Sequence, residues 1–390
     1  MEMISLNFSI ESTDKDKEDE MITGILKEIK VEENRVSMTP AGVEVMRGYG
    51  HTLLVEKGAG SGSGFEDKAY VAAGAEIVKT AKEIYDRSDM VMHVKEPMPS
   101  EYKWIRKDQI VFTYLHLAAN EALTRAMIET KSIAIAYETI QKADGSLPLL
   151  IPMSEVAGRM AIQEAAKYLE MEYGGEGVLL GGVPGVEPAT VLVIGAGTVG
   201  THAAKMACGL GARVYVVDSC LSRLRYLSDV MPKNCFLLIS SPETIRRLIR
   251  EADAVIGSVL IPGAKAPRLV TRDMLKLMKK GSVLVDVAID QGGCFETSRA
   301  TTHKDPIYTI DGIIHYCVAN MPGAVAKTST LALTNATLPY AVEIANKGWK
   351  RAMKENPEIK KGANVIRGQV TFRGVADAFG LKLADIEKFL

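Results

Sequence analysis

Apolar and polar positions along the chain fall into a repeating alternation of short apolar runs and longer helical stretches. Runs at Thr52–Glu56, Met90–Lys95, Gln109–Leu115 and Ile133–Tyr137 read as buried strands, with helical stretches Pro40–Tyr49, Phe65–Ala73 and Asn120–Thr130 between them. A second series follows: apolar strands at Val191–Ile194, Val214–Val217, Cys235–Ile239, Ala254–Ser258 and Ser282–Ile289, continuing to about Ala319. Strands alternating with helices specify parallel sheets covered on both faces. Ser154–Met171 is a long helical stretch leading from the first series to the second, and Asn335–Lys354 is another after it. A polar C-terminal tail closes the chain.

Within the second series, TVLVIGAGTVGTHAAKMACGLGARVYVVD (190–218) holds the features of a dinucleotide site in order. The β-branched strand runs into Gly195-x-Gly197-x-x-Gly200, the helix-forming stretch Thr201–Leu210 follows, and the next strand ends in Asp218. Gly195 permits the tight turn, Gly197 lets backbone approach a pyrophosphate, and Gly200 lets the helix pack against the strand. The helix N-terminus offers N–H groups and a positive dipole end to phosphates. Asp218 can accept hydrogen bonds from a ribose diol and repels a 2′-phosphate, so NAD is the cofactor expected. The fold expected is α/β: two Rossmann-like domains with doubly wound parallel sheets, joined by long helices, with a cleft between them. Residues 1–20 are expected to be a disordered acidic tail, 21–148 with 327–390 a discontinuous substrate domain, and 149–326 the nucleotide-binding domain.

Composition narrows the class further. The 390 residues are 47% hydrophobic and 24% charged, with a formal net charge of −1. That balance excludes a nucleic-acid or anionic-membrane surface, which needs a basic excess. No apolar run has spanning length, and the polar first 20 residues lack the core of a signal peptide. Five cysteines without a CxxC pair (Cys208, Cys220, Cys235, Cys294, Cys317) fit a reduced, cytoplasmic protein. Cys294 has no activating base beside it in sequence, which argues against a nucleophile.

Candidate chemistry collects near strand ends. Arg35 precedes Thr39-Pro40, a helix start, and its planar fork suits a bidentate carboxylate contact. Lys95 and His116 follow apolar strands, where open α/β sheets place ligands; His116 can exchange a proton near neutral pH. In the strand Ser282–Asp290, Asp286 and Asp290 share parity, and Asp290, at the carboxyl end beside glycines, is the better candidate for chemistry. The loop Gly58–Gly64 also follows a strand and precedes a helix, but no ribose-binding acid ends the strand Met90–Lys95, so a structural loop is the preferred reading over a second nucleotide site.

The chain resembles the NAD-dependent alanine dehydrogenase family, which is related to the NAD-binding part of proton-translocating transhydrogenase. The resemblance runs from about Met21 to near the C-terminus. It is carried by KEIKxxENRVxxTPAGV, GxGSGF, VKEP, FTYLHLAA, PMSEVAGR, GGVPGV, GAGTVG, VLIPGAKAP, VDVAIDQGGCFE, YCVANMPG and TSTLALTNATLPY. It implies reversible oxidative deamination of L-alanine to pyruvate and ammonium, with Arg35 and Lys95 holding the substrate and His116 and Asp290 as the acid/base pair. It implies cofactor contacts from Ser154, Thr198, Val199, Asp218, Arg223, Ser240, Val259, Leu260 and Arg299. Val287, Ala288 and Ile289 beside Asp290, and the loop Val318, Ala319, Asn320 and Met321, complete that set. A homohexamer is also implied. Some members bind magnesium through a glutamate and a histidine one turn apart; here Glu343 is followed by Lys347, and no metal is expected. A transhydrogenase module, which has no amino-acid site, is disfavoured by Arg35, Lys95, His116 and Asp290 occurring together.

Overall fold

The computed structural model describes residues 20–259 and 267–390. The acidic tail and Leu260 therefore lie outside the described residues, except for Glu20. Strands run in chain order β1 (Ile22–Ile25), β2 (Thr52–Glu56), β3 (Glu76–Val78), β4 (Met90–Met92), β5 (Ile110–Thr113), β6 (Ile133–Ala136), β7 (Thr190–Ile194) and β8 (Arg213–Asp218). They continue with β9 (Cys235–Ile239), β10 (Ala254–Gly257), β11 (Val283–Asp286), β12 (Ile307–Ile310), β13 (Ile313–Tyr316), β14 (Ala363–Ile366) and β15 (Gln369–Val370). The chain divides into two compact units. One takes the chain up to Leu150 and again from Ala326 to Leu390; the other is Ile151–Val325.

The first unit is built on an eight-stranded sheet of order β15-β14-β6-β5-β4-β1-β2-β3. β1 to β6 are parallel, because each is joined to the next by a crossover. Their apolar faces meet helix residues such as Leu123 and Met127 in one core, which excludes water from the sheet. The second unit holds a seven-stranded sheet, β12-β13-β11-β10-β7-β8-β9. Leu192, Val217, Val255 and Leu284 pack there against Ile245 and Leu248. In both sheets the strand order reverses beside the first strand, at β1/β4 and at β7/β10, the place where a crevice opens outside the carboxyl ends.

Three expectations are corrected. Neither sheet is wholly parallel: β12 pairs antiparallel with β13, and β14 pairs antiparallel with both β6 and β15. Short connections permit only antiparallel hairpins at β12/β13 and β14/β15. The C-terminal segment is not a polar tail, since β14 is fully buried and Val365, Val370, Val375 and Ala376 belong to the first core. Finally, the strand expected through Asp290 stops at Asp286, and Ile289–Gln291 forms a 3₁₀ turn. Shared strand parity therefore does not relate the two aspartates.

Among the described residues, no helix is long and apolar enough to cross a membrane.

Candidate functional site

In the first unit, Arg35 sits in the loop after β1 with 2% of its surface exposed. Its Nε donates to Glu33 Oε1 at 2.7 Å and Nη2 to Oε2 at 2.5 Å, while the Arg35 backbone N–H donates to Oε1 at 3.1 Å. Burial opposes the charged guanidinium, but Glu33 outweighs it and the pKa is raised. The fork read as a substrate clamp is thus closed along its Nε–Nη2 edge by a carboxylate of its own chain. Thr39 Oγ1 accepts from Gly42 N at 3.3 Å and caps the following helix, Pro40–Gly48.

Lys95 lies three residues beyond β4. Its backbone is held from two sides: the N–H donates to Glu28 Oε1 at 3.3 Å and the carbonyl accepts from Thr113 Oγ1 at 2.9 Å. His116 lies three residues beyond β5, which ends at Thr113 and not at the expected Leu115, and sits in the left-handed region at φ 48°, ψ 38°, a conformation uncommon outside glycine. Its N–H donates to Glu138 Oε1 at 2.6 Å. Its exposed ring stacks on Tyr114, centroids 5.9 Å apart and planes 8° apart. The Tyr114 hydroxyl donates to the Leu149 carbonyl at 2.5 Å, which fixes the plate on which His116 rests.

Behind Lys95 is a buried acid/base cluster that the sequence reading passed over. Glu28 Oε1 lies 3.3 Å from His93 Nδ1 and accepts from Val94 N at 2.6 Å. His93 Nε2 faces the Tyr85 hydroxyl at 3.1 Å and Glu101 at 3.5 Å. Burial pushes the imidazole pKa down, but Glu28, Glu101 and Glu56 together raise it. Glu33, Tyr114 and His93 carried no periodic signal; only spacing of two residues from Arg35, His116 and Lys95 pointed at them.

The second unit collects its candidates along one edge of its sheet. The glycine turn follows β7, Asp218 ends β8, Ser240 follows β9, Val259 follows β10, Val287–Asp290 follow β11 and Val318–Met321 follow β13. Because these strands run parallel, all of these residues emerge from the same carboxyl edge. Gly195 has φ +104°, which a side chain would strain. A Cβ on Gly200 would stand 1.8 Å from the Gly195 carbonyl oxygen, whereas one on Gly197 meets nothing within 4 Å. The first contact is the helix–strand approach and the second is open room for a phosphate. The helix Thr198–Gly209 has no side-chain cap, so its first N–H groups face that room.

Asp218 is half-buried; Oδ2 accepts from Ala196 N at 2.6 Å and Oδ1 from Cys220 N at 2.7 Å, which ties the acid to the turn. Arg223 Nε donates to the Ala196 carbonyl at 2.7 Å and Nη2 to Thr201 Oγ1 at 3.1 Å. Ser258, a residue the sequence reading missed, donates toward the Ile194 and Gly195 carbonyls at 2.9 and 3.0 Å and links the turn to β10. Ser154 lies on the helix Ile151–Tyr168, which approaches the phosphate-side helix through Gly158, where a Cβ would sit 2.2 Å from Val199 O. These features fit a dinucleotide.

Asp286 is fully buried and accepts from Ala288 N (3.1 Å), Cys294 N (2.8 Å), Phe295 N (3.2 Å) and Ser298 Oγ (2.5 Å). It gathers the loop that presents the exposed Asp290. Burial pushes the Cys294 thiol up to about 12, with the Asp286 charge adding to it, so the thiol stays protonated and is no nucleophile. Arg299 is exposed and lies 4.1 Å over the Tyr308 ring. Within the first unit, Lys347 Nζ lies 2.9 Å from both Glu343 and Glu355.

A doubly wound sheet carrying this turn at its switch point defines the class: a dinucleotide-binding α/β protein. The models "Alanine dehydrogenase/PNT, N-terminal domain" and "Alanine dehydrogenase/PNT, C-terminal domain" match residues 24–157 and 161–373. The chain belongs to the alanine dehydrogenase/PNT family. It is 56% identical over 371 residues to an alanine dehydrogenase of Methanococcus maripaludis, covering 95% of this chain and 100% of that protein. It is 54% identical, at the same coverage, to alanine dehydrogenase 2 of Staphylococcus aureus. A solved L-alanine dehydrogenase structure superposes with TM-score 0.90 at 48% identity, covering 92% of this chain and 99% of that one.

Proposed function

We propose that the chain catalyses reversible NAD-dependent oxidative deamination: L-alanine, water and NAD+ give pyruvate, ammonium, NADH and a proton. The observation that carries this reading is identity above one half, over nearly the whole chain, with proteins named alanine dehydrogenase. NAD would be held by Gly195, Gly197, Gly200, Thr198 and Val199 at its phosphates, by Asp218 at the ribose, and by the remaining carboxyl-edge residues, Ser154 and Arg299. When bound, the nicotinamide supplies the hydride acceptor.

The chain's own residues do the rest. Arg35 and Lys95 provide the positive charge that orients the substrate carboxylate. His116 and Asp290 take and return protons as water adds to the substrate iminium and ammonium departs. The Asp290 carboxylate also opposes the positive charge that builds on the substrate nitrogen. A homohexamer in the cytoplasm belongs to the same reading, supported by family resemblance and by five cysteines that are all free thiols. The test is NADH formation at alkaline pH with L-alanine beside a panel of other amino acids. NADH formed fastest from L-alanine is expected, and turnover of another amino acid with none of alanine overturns the assignment.

A further inference from the structure

The glycine-rich loop Gly58–Gly64 has the look of a phosphate cradle, yet its inner surfaces are filled by the chain itself. A Cβ on Gly60 would stand 2.7 Å from the Phe65 carbonyl and from the Tyr70 ring, and one on Gly62 would stand 2.8 Å from Asn34. The absence of side chains lets this loop lie directly against the segment that carries Arg35. At that contact we propose that Ser63 and Thr330 are positioning residues for Arg35, their hydroxyls closing a clasp over the two peptide groups that flank it.

Four atoms make the clasp. The Val36 backbone N–H donates to Thr330 Oγ1 at 3.1 Å. Thr330 Oγ1 and Ser63 Oγ lie 2.8 Å apart. Ser63 Oγ lies 2.8 Å from the Asn34 carbonyl oxygen and 3.3 Å from that of Ala326. Each hydroxyl has one proton to give, which sets the direction of the relay. Thr330 accepts from Val36 and donates to Ser63, and Ser63 donates to its nearer carbonyl, Asn34. The relay thus runs from the amide of residue 36 to the carbonyl of residue 34, with Arg35 inside the ring.

Burial makes the ring matter. Ser63 is 1% exposed and Thr330 and Val36 are 0%, so hydration cannot replace a missing link, and linked hydrogen bonds in such surroundings reinforce one another. Arg35 is then fixed twice, by Glu33 on its side chain and by the clasp on its backbone. A long side chain fixed before substrate arrives loses less entropy on binding. The inference rests on the proposed reading of Arg35 as a substrate anchor.

The test is steady-state kinetics in both directions on Ser63→Ala, Thr330→Val, their double variant and Thr330→Ser, with thermal melting as the fold control. Loss of one buried neutral link is expected to raise KM for alanine and pyruvate about three- to tenfold. kcat should stay within about twofold, because the clasp touches no reacting atom. Thr330→Ser retains the hydroxyl and should match the parent. The double variant should be no worse than the more damaged single one, since either change opens the same ring. Unchanged KM in folded Ser63→Ala and Thr330→Val overturns the clasp, as does a Thr330→Ser as impaired as Thr330→Val. An inactive parent protein would instead reject the enzymatic reading on which the clasp rests, so the two failures are distinct.

Discussion

Replacing Arg35 perturbs two things at once, and the structure separates them. Arg35→Ala deletes a guanidinium that is 2% exposed and leaves the Glu33 side chain, at 0% exposure, without its bidentate partner. Removing one member of a buried ion pair costs about 3–5 kcal/mol. In a folding unit of roughly 200 residues each kcal/mol moves Tm by about 2–4 °C, so the melting of the first unit should fall by roughly 6–20 °C. The substrate effect comes on top: charge-assisted hydrogen bonds contribute about 1.5–3 kcal/mol, which is roughly a 10- to 150-fold rise in KM for alanine and pyruvate. The companion variant Glu33→Met/Arg35→Met replaces the pair with apolar groups of similar length, a change that is often neutral or stabilising. It should regain most of the lost Tm and keep the full KM defect. Differential scanning calorimetry and steady-state kinetics on the parent and both variants give the comparison. A parental Tm in Arg35→Ala, or a double variant no more stable than the single one, would refute the buried-pair reasoning; a parental KM would remove Arg35 as a substrate anchor.

Other outcomes follow from the remaining geometry. Asp218→Ala should narrow the preference for NAD over NADP while leaving KM for alanine nearly unchanged, because the half-buried carboxylate repels a 2′-phosphate in a poorly screened site; equal kcat/KM for both cofactors in the parent protein would contradict this. His116→Ala and Asp290→Asn should each lower kcat by about 10²–10⁴-fold with NADH binding retained by fluorescence titration, and near-normal turnover in either would overturn the proton-transfer assignment. Asp286→Asn should instead destabilise by about 1–3 kcal/mol in urea titration, because an amide cannot accept from every donor now aimed at the carboxylate. Burial and the neighbouring Asp253 carboxylate push the Glu176 pKa up to about 7, against the pull of Lys279. A raised carboxyl pKa stabilises the folded state fully below the ordinary value of 4.5 and ceases to do so as pH rises through 7. Glu176→Gln should therefore flatten the fall in urea midpoint across that window, and an identical pH slope in parent and variant would reject the shift.

Elements with a dense apolar signal were legible in the sequence, and those that depend on a distant partner were not. β2 and β9 span the expected residues, and the glycine turn with its helix lies where the spacing places it. β3 escaped because one of its three residues is exposed and one half-buried, leaving no apolar run. β14 escaped because it is only four residues long, includes Asn364 and pairs with β6, a strand more than 200 residues earlier in the chain. The overrun of β11 has a different cause. Val287, Ala288 and Ile289 prolong the apolar run, but the backbone curls there because four donors converge on Asp286. At the site, strand-end Lys95 and His116 could be chosen by position. Glu33 could not, since an acid two residues from an arginine reads as ordinary surface charge until burial makes it a pair.

The antiparallel edge formed by β14 has a consequence for synthesis. β6 ends at Ala136, and its partner begins at Ala363, so the ribosome must add more than 200 residues before that edge is covered. At about 5–20 residues per second this leaves β6 open for roughly 10–45 s, with unpaired backbone groups on a fully apolar strand. The second unit is contiguous and has no such wait; it is complete when Val325 emerges. The nascent chain therefore carries a finished nucleotide unit while the first unit is still missing its last strands and its clasp residue Thr330. Chains cut short between residues 325 and 363 would hold the dinucleotide turn intact yet expose β6, and should accumulate as aggregates or degradation products rather than as a smaller soluble protein.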